Sequence, residues 1–116
     1  QASHILLLVD SEDDLFLFNY ARTRLGEQSM TIRICFINEQ VDKQLQSRIM
    51  NDFVQIDSNK FVLDKPLTMN TFIENKETLL VMSYTTCEKL SKDQELFAKL
   101  PSLLIIRPRQ LKVEKI

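Results

Sequence analysis

Five short, nearly continuous apolar runs, set apart by stretches of helical character, constrain this chain more than any other feature. Ile5-Leu6-Leu7-Leu8-Val9 is apolar at every position. A strand with one wet face alternates apolar and polar residues, whereas a run apolar throughout suits a strand covered on both faces, as in a parallel sheet. The β-branched run Met30 to Ile37, the short run Phe53 to Ile56, Thr78 to Tyr84 and Ser102 to Arg107 read the same way. Phe61-Val62-Leu63 is ambiguous, a short extended piece before Asp64-Lys65-Pro66, where Pro66 biases Lys65 away from helix.

Helical patterns fill the intervals. Ser11 is a good N-cap, and Glu12, Asp13 and Asp14 behind it complement the positive end of a helix dipole. That helix runs to about Leu25, with Leu17, Phe18, Ala21 and Leu25 as its core stripe. Gly26 then serves as the residue past its end, where positive φ costs a glycine little. Asn38 can cap a second helix carrying Val41, Leu45 and Ile49. Thr68 can cap a third with Met69, Phe72 and Ile73. Ser91-Lys92-Asp93-Gln94 reads as a capping box for a fourth, with Leu96, Phe97 and Leu100 inward and Pro101 as its stop. Strict alternation of strand and helix predicts a three-layer α/β/α domain on a five-stranded parallel sheet, covering residues 4–108. The flavodoxin-like order 2-1-3-4-5 and the order 3-2-1-4-5 both fit. Residues 109–116 alternate polar and apolar and read as a tail or an edge extension.

Composition narrows the function. The 116 residues include one glycine, Gly26, where an average chain of this length has roughly eight. A P-loop, a dinucleotide fingerprint and any other glycine-rich phosphate loop are thereby excluded. A net charge of −1 gives no basic footprint for nucleic acid. No run approaches the roughly 20 apolar residues of a membrane span, and no signal peptide opens the chain. Cys35 and Cys87 are too few and too far apart for a disulfide framework or a zinc knuckle. Because the chain starts at Gln1 and enters a strand at His4, it reads as a fragment of a longer protein.

In doubly wound sheets, ligands bind beyond the carboxyl ends of the strands. The residues expected there are Asp10 to Asp14 after the first strand, Asn38 and Glu39 after the second, Asp57 and Ser58 after the third, and Ser83 to Cys87 after the fourth. Asp10, Glu12 and Asp13 have the oxygen chemistry of a divalent-cation site, but a capped helix start accounts for the same acids, and no metal is expected. No Ser-His-Asp set exists, the sole histidine being His4. Nothing beside Cys87 except Lys89 could activate its thiol, so no catalytic residue is expected.

Two family resemblances follow from these motifs. Val9-Asp10-Ser11-Glu12-Asp13-Asp14 resembles the opening acidic motif of two-component receiver domains, in which Asp57 would be the phosphoryl acceptor. The family's Lys-Pro dipeptide is not where it should be. Lys65-Pro66 comes too soon after Asp57, and the last strand ends Ile106-Arg107-Pro108. A broader resemblance is to the universal stress protein family. His4 to Glu12 is similar to its opening strand, one residue shorter than the family's Val-Asp-x-Ser-Glu. Tyr20 to Gly26 resembles the end of its first helix, and Met30 to Ile37 its second strand. The match is specific over about the first third and pattern-level beyond.

In that family a glycine-rich stretch after the fourth strand cradles ATP phosphates. Ser83-Tyr84-Thr85-Thr86-Cys87-Glu88-Lys89 has no glycine, and a phosphate cradle needs the backbone freedom glycine gives. The resemblance therefore implies a branch without nucleotide: Asp10, Ser11, Glu12, Ser83 and Thr85 form a degenerate ligand face, and Asp10 matches the family's adenine-side aspartate without serving it. Phe97 to Ile106, a helix ending Leu-Pro before an apolar strand, is similar to degenerate domains of this kind carried at the cytosolic C-terminus of bacterial cation/proton antiporters. The expectation is a non-catalytic regulatory or assembly domain, without cofactor, at the cytoplasmic face of the inner membrane. Its partners would be the transmembrane antiporter domain of the same chain and a second copy of itself. The candidate contact residues are Phe16 and Tyr20, four apart and off the core stripe, and Leu103 and Ile105 on the last strand. The alternatives are a stand-alone nucleotide-binding stress protein and a receiver. The basic residues Arg107, Arg109, Lys112 and Lys115 could meet anionic lipid, although Glu114 among them suits a simply solvated tail.

Overall fold

The computed structural model of the chain describes residues 4–24, 31–38, 40, 42–64 and 78–108. Gly26 and Leu25, Glu39 and Val41, Lys65-Pro66, the helix expected from Thr68, and the tail at 109–116 lie outside the described residues. Five strands pair in parallel: β1 (His4–Val9), β2 (Ile32–Phe36), β3 (Phe61–Leu63), β4 (Thr78–Ser83) and β5 (Ser102–Ile106). Their order is β3-β2-β1-β4-β5. Of the two orders open to the sequence, the structure takes 3-2-1-4-5.

The central position of β1 explains its unbroken apolar run. Leu7 lies opposite Ile34 of β2 and Val81 of β4, and its side chain is buried on one face while Leu6 and Leu8 are buried on the other. Ile5, Leu7 and Val9 join a cluster with Leu17, Phe18 and Ala21 of α1 (Phe16–Arg24) and Leu45 and Ile49 of α2 (Lys43–Ile49). Leu6 and Leu8 join a second cluster with Cys35, Leu80 and Met82. Over that face lie α3 (Tyr84–Ser91), through Cys87 and Leu90, and α4 (Gln94–Ala98), through Leu96 and Phe97. Among the described residues two helices lie on each face, making the three layers. Each fully buried aliphatic side chain contributes about 1.5–3 kcal/mol relative to exposure.

Several local expectations are corrected. Phe53 to Ile56 is not a strand: α2 runs directly into a π-helical turn at Met50–Val54, closed by the Gln55 N–H donating to the Met50 carbonyl at 2.9 Å. Phe53 thereby stacks on Phe18, with ring centroids 4.3 Å apart, and meets Phe61 edge-on at 6.3 Å. A four-residue apolar run does not separate helix from strand, and here the aromatic packing decides. The third strand is the ambiguous Phe61–Leu63. Arg22 lies over the Phe53 and Phe61 rings, 5.6 and 5.9 Å from their centroids. Asp42, not Asn38, caps α2 by accepting from the Gln44 N–H. Asp93, not Ser91, caps α4, and Ser91 is the last residue of α3. Tyr84 opens α3 and does not extend β4.

Candidate functional site

Strand order 3-2-1-4-5 reverses direction between β1 and β4. At such a switch point the connections from neighbouring strands leave on opposite faces, opening a crevice at the carboxyl ends. Here that crevice lies between the turn after β1, Asp10 to Leu15, and the start of α3 after β4.

The β1 turn folds around one carboxylate. Ser11 is an N-cap, but of a single 3-10 turn, Glu12–Asp14, ahead of α1. Its hydroxyl accepts from the Asp13 N–H at 3.2 Å. Asp14 reaches back, and its Oδ2 accepts from the Asp10 N–H at 2.7 Å and the Ser11 N–H at 3.3 Å. The reciprocal pair is a capping box with aspartate in the third position. Asp14 is 3% exposed, which a carboxylate tolerates only when several donors hold it.

The third donor comes from across the crevice. The Thr86 hydroxyl donates to Asp14 Oδ2 at 3.3 Å. Thr86 in turn accepts from the Ser83 hydroxyl at 3.0 Å, while the Thr86 N–H donates to Ser83 Oγ at 3.1 Å. Ser83 is therefore the N-cap of α3 and the start of a buried hydroxyl relay ending on Asp14. One turn further along α3, Lys89 Nζ lies 3.2 and 3.1 Å from the two oxygens of Asp10. A buried hydrogen-bond chain and a part-exposed ion pair thus tie α3 to the β1 turn.

Hollows lie nearby among the described residues. One of about 70 Å³ sits inside the crevice, lined by Asp10, Asp14, Ser83, Thr85, Thr86 and Pro108 among others. Another, of about 280 Å³, lies between the β1 turn and α2, against Asp10, Ser11, Glu12, Asp42, Leu45 and Arg48. Arg48 bridges its rim, paired with Glu12 and, at 3.7 Å, with Asp52. Typical small-ligand sites start at about 300 Å³.

The expected ligand-face residues separate into groups. Asp10, Ser11 and Ser83 meet at the crevice; Thr85 lines its small hollow; the exposed Glu12 turns towards Arg48. Asp57 and Ser58 are not on the carboxyl side. Asp57 precedes β3, its carbonyl accepting from the Phe61 N–H at 3.0 Å, and Asp64 follows the strand instead, paired with Arg33 at 3.1 Å. The receiver reading fails on this placement and on the strand order, since receivers use 2-1-3-4-5. Among the described residues no group of three or more His, Cys, Asp or Glu side chains is placed to hold a metal ion.

Both thiols are buried and free. Burial pushes the Cys35 thiol up to about 12, with Asp64 adding to the effect and Arg33 opposing it. Cys87 is raised by burial and then by Glu88, and its one candidate activator, Lys89, is engaged by Asp10. Arg107 stacks on the Tyr84 ring at 4.0 Å. The Tyr84 phenol is held protonated to higher pH, first by its hydrogen bond to Glu88 and then by that carboxylate's charge.

The candidate contact residues also differ. Phe16 and Tyr20 are half-buried, Phe16 against the first core cluster. Leu103 packs partly on the second cluster, and Ile105 is 43% exposed. Among the described residues β5 is an edge strand, and none of its five residues is fully buried. No described helix is long and apolar enough to cross a membrane.

Sequence reasoning placed Asp14 among helix-start acids and missed its role. The signal was the spacing Ser11-x-x-Asp14, the short form of a capping box. Thr86 and Lys89, three apart on α3, carried no local signal, because their partners are 72 and 79 residues away. No family model, curated protein or solved structure matches the chain.

Proposed function

We propose that this chain is a non-catalytic regulatory or assembly domain, built on a nucleotide-binding type of sheet but working without nucleotide. The observation that carries the reading is the occupancy of the switch point by the protein's own groups. The amides of Asp10 and Ser11 are the donors a phosphate would need, and the Asp14 carboxylate already accepts from both. On the other wall, Ser83 accepts from the Thr86 amide in the first turn of α3. A phosphate entering between them would meet Asp10 and Asp14 at close range and displace Lys89 from Asp10, where like-charge repulsion opposes it.

The setting we propose is the cytosolic side of a bacterial cation/proton antiporter, as the universal-stress-like opening and the Phe97 to Ile106 segment suggest. There the domain would associate with the transmembrane part of the same protein and with a second copy of itself. The apolar, part-exposed β5 supports a contact of that kind, since long apolar edges are otherwise avoided.

The full-length coding sequence upstream of Gln1 tests the setting. The expected result is a series of apolar spans of about 20 residues each; an upstream region without any would overturn it. Calorimetric titration with ATP tests the nucleotide-free reading separately, with no binding heat expected and saturable binding against it.

A further inference from the structure

We draw no further inference here: the strongest candidate, the cleft of about 280 Å³ between the β1 turn and α2, has its charged wall groups already engaged by the protein itself (Asp10 by Lys89, Glu12 by Arg48, Asp42 by the Gln44 amide), so nothing in the structure shows what would cover it.

Discussion

The carboxyl ends of β1 and β4 and the edge strand β5 are made of similar apolar sequence, yet they end in opposite conditions. β1 and β4 are sealed at these ends: Leu6 to Val9 and Leu80 to Ser83 are buried, and the polar groups beyond them are consumed by the Asp14, Thr86 and Ser83 chain and by the Lys89–Asp10 pair. β5 pairs on one side only among the described residues and leaves Ile105 in water. A sheet of this order usually does its work at the crevice. In this chain the polar groups at the crevice bond to one another, whereas β5 keeps part of its apolar surface exposed.

Core substitutions probe the comparison most strongly. Leu80 on β4 is fully buried, and its neighbour in register on β5 is Leu103. Leu80→Ala is expected to destabilise the domain by about 2–5 kcal/mol, and Ile105→Ala by less than about 1 kcal/mol. Urea unfolding reads both; equal losses would show that β5 is as enclosed as β4.

Asp14→Ala comes next. It leaves the Asp10 and Ser11 amides and the Thr86 hydroxyl without their acceptor, at an expected cost of about 2–4 kcal/mol. Asp14→Asn keeps one carbonyl acceptor and should lose less. A variant as stable as the parent would mean that the crevice is not closed by this carboxylate.

Alkaline pH gives a third test. The Cys35 thiol ionises near its ordinary value of 9 when unfolded and at about 12 when folded. Below pH 9 both states are protonated and stability does not vary with this group's ionisation. Above it the unfolded chain loses its proton first, so stability falls as pH rises from 9 towards 12. Cys35→Ser should flatten that decline in a pH series of melting temperatures.

Lys89→Met has the smallest expected effect. Lys89 is half-exposed in its pair with Asp10, so its loss should cost at most about 1 kcal/mol, with the difference from the parent shrinking in high salt. A salt-independent loss of several kcal/mol would show that the pair acts as a buried one.

Much of the architecture was legible because it rests on burial. Continuous apolar runs at Ile5 to Val9 and Thr78 to Ser83 mark parallel strands covered on both faces, and the Leu17, Phe18, Ala21 spacing marks the inner stripe of α1. Short elements were not legible. Phe53 to Ile56 has strand composition, but contact with Phe18, distant in sequence, and with Phe61 accompanies the helical turn at Phe53. Caps were displaced for a related reason: Asn38 and Ser91 are chemically suitable, but Asp42 and Asp93 stand where the helices begin. At the site, Asp10 to Asp14 and Ser83 to Thr86 were foreseeable as residues following strands, and Ser11-x-x-Asp14 records the local half of the role of Asp14. The Thr86–Asp14 and Lys89–Asp10 contacts come from β1 and β4 lying side by side, which no local pattern of residues records.

The central proposal is that the polar groups of the crevice are engaged by one another and that it takes no nucleotide. Amide NMR spectra recorded during titration with magnesium-ATP test it residue by residue. The account predicts no saturable shift in residues 10–14 or 83–89 up to millimolar ligand. Saturable shifts in both segments together, with Asp14→Ala altering the affinity, would contradict it.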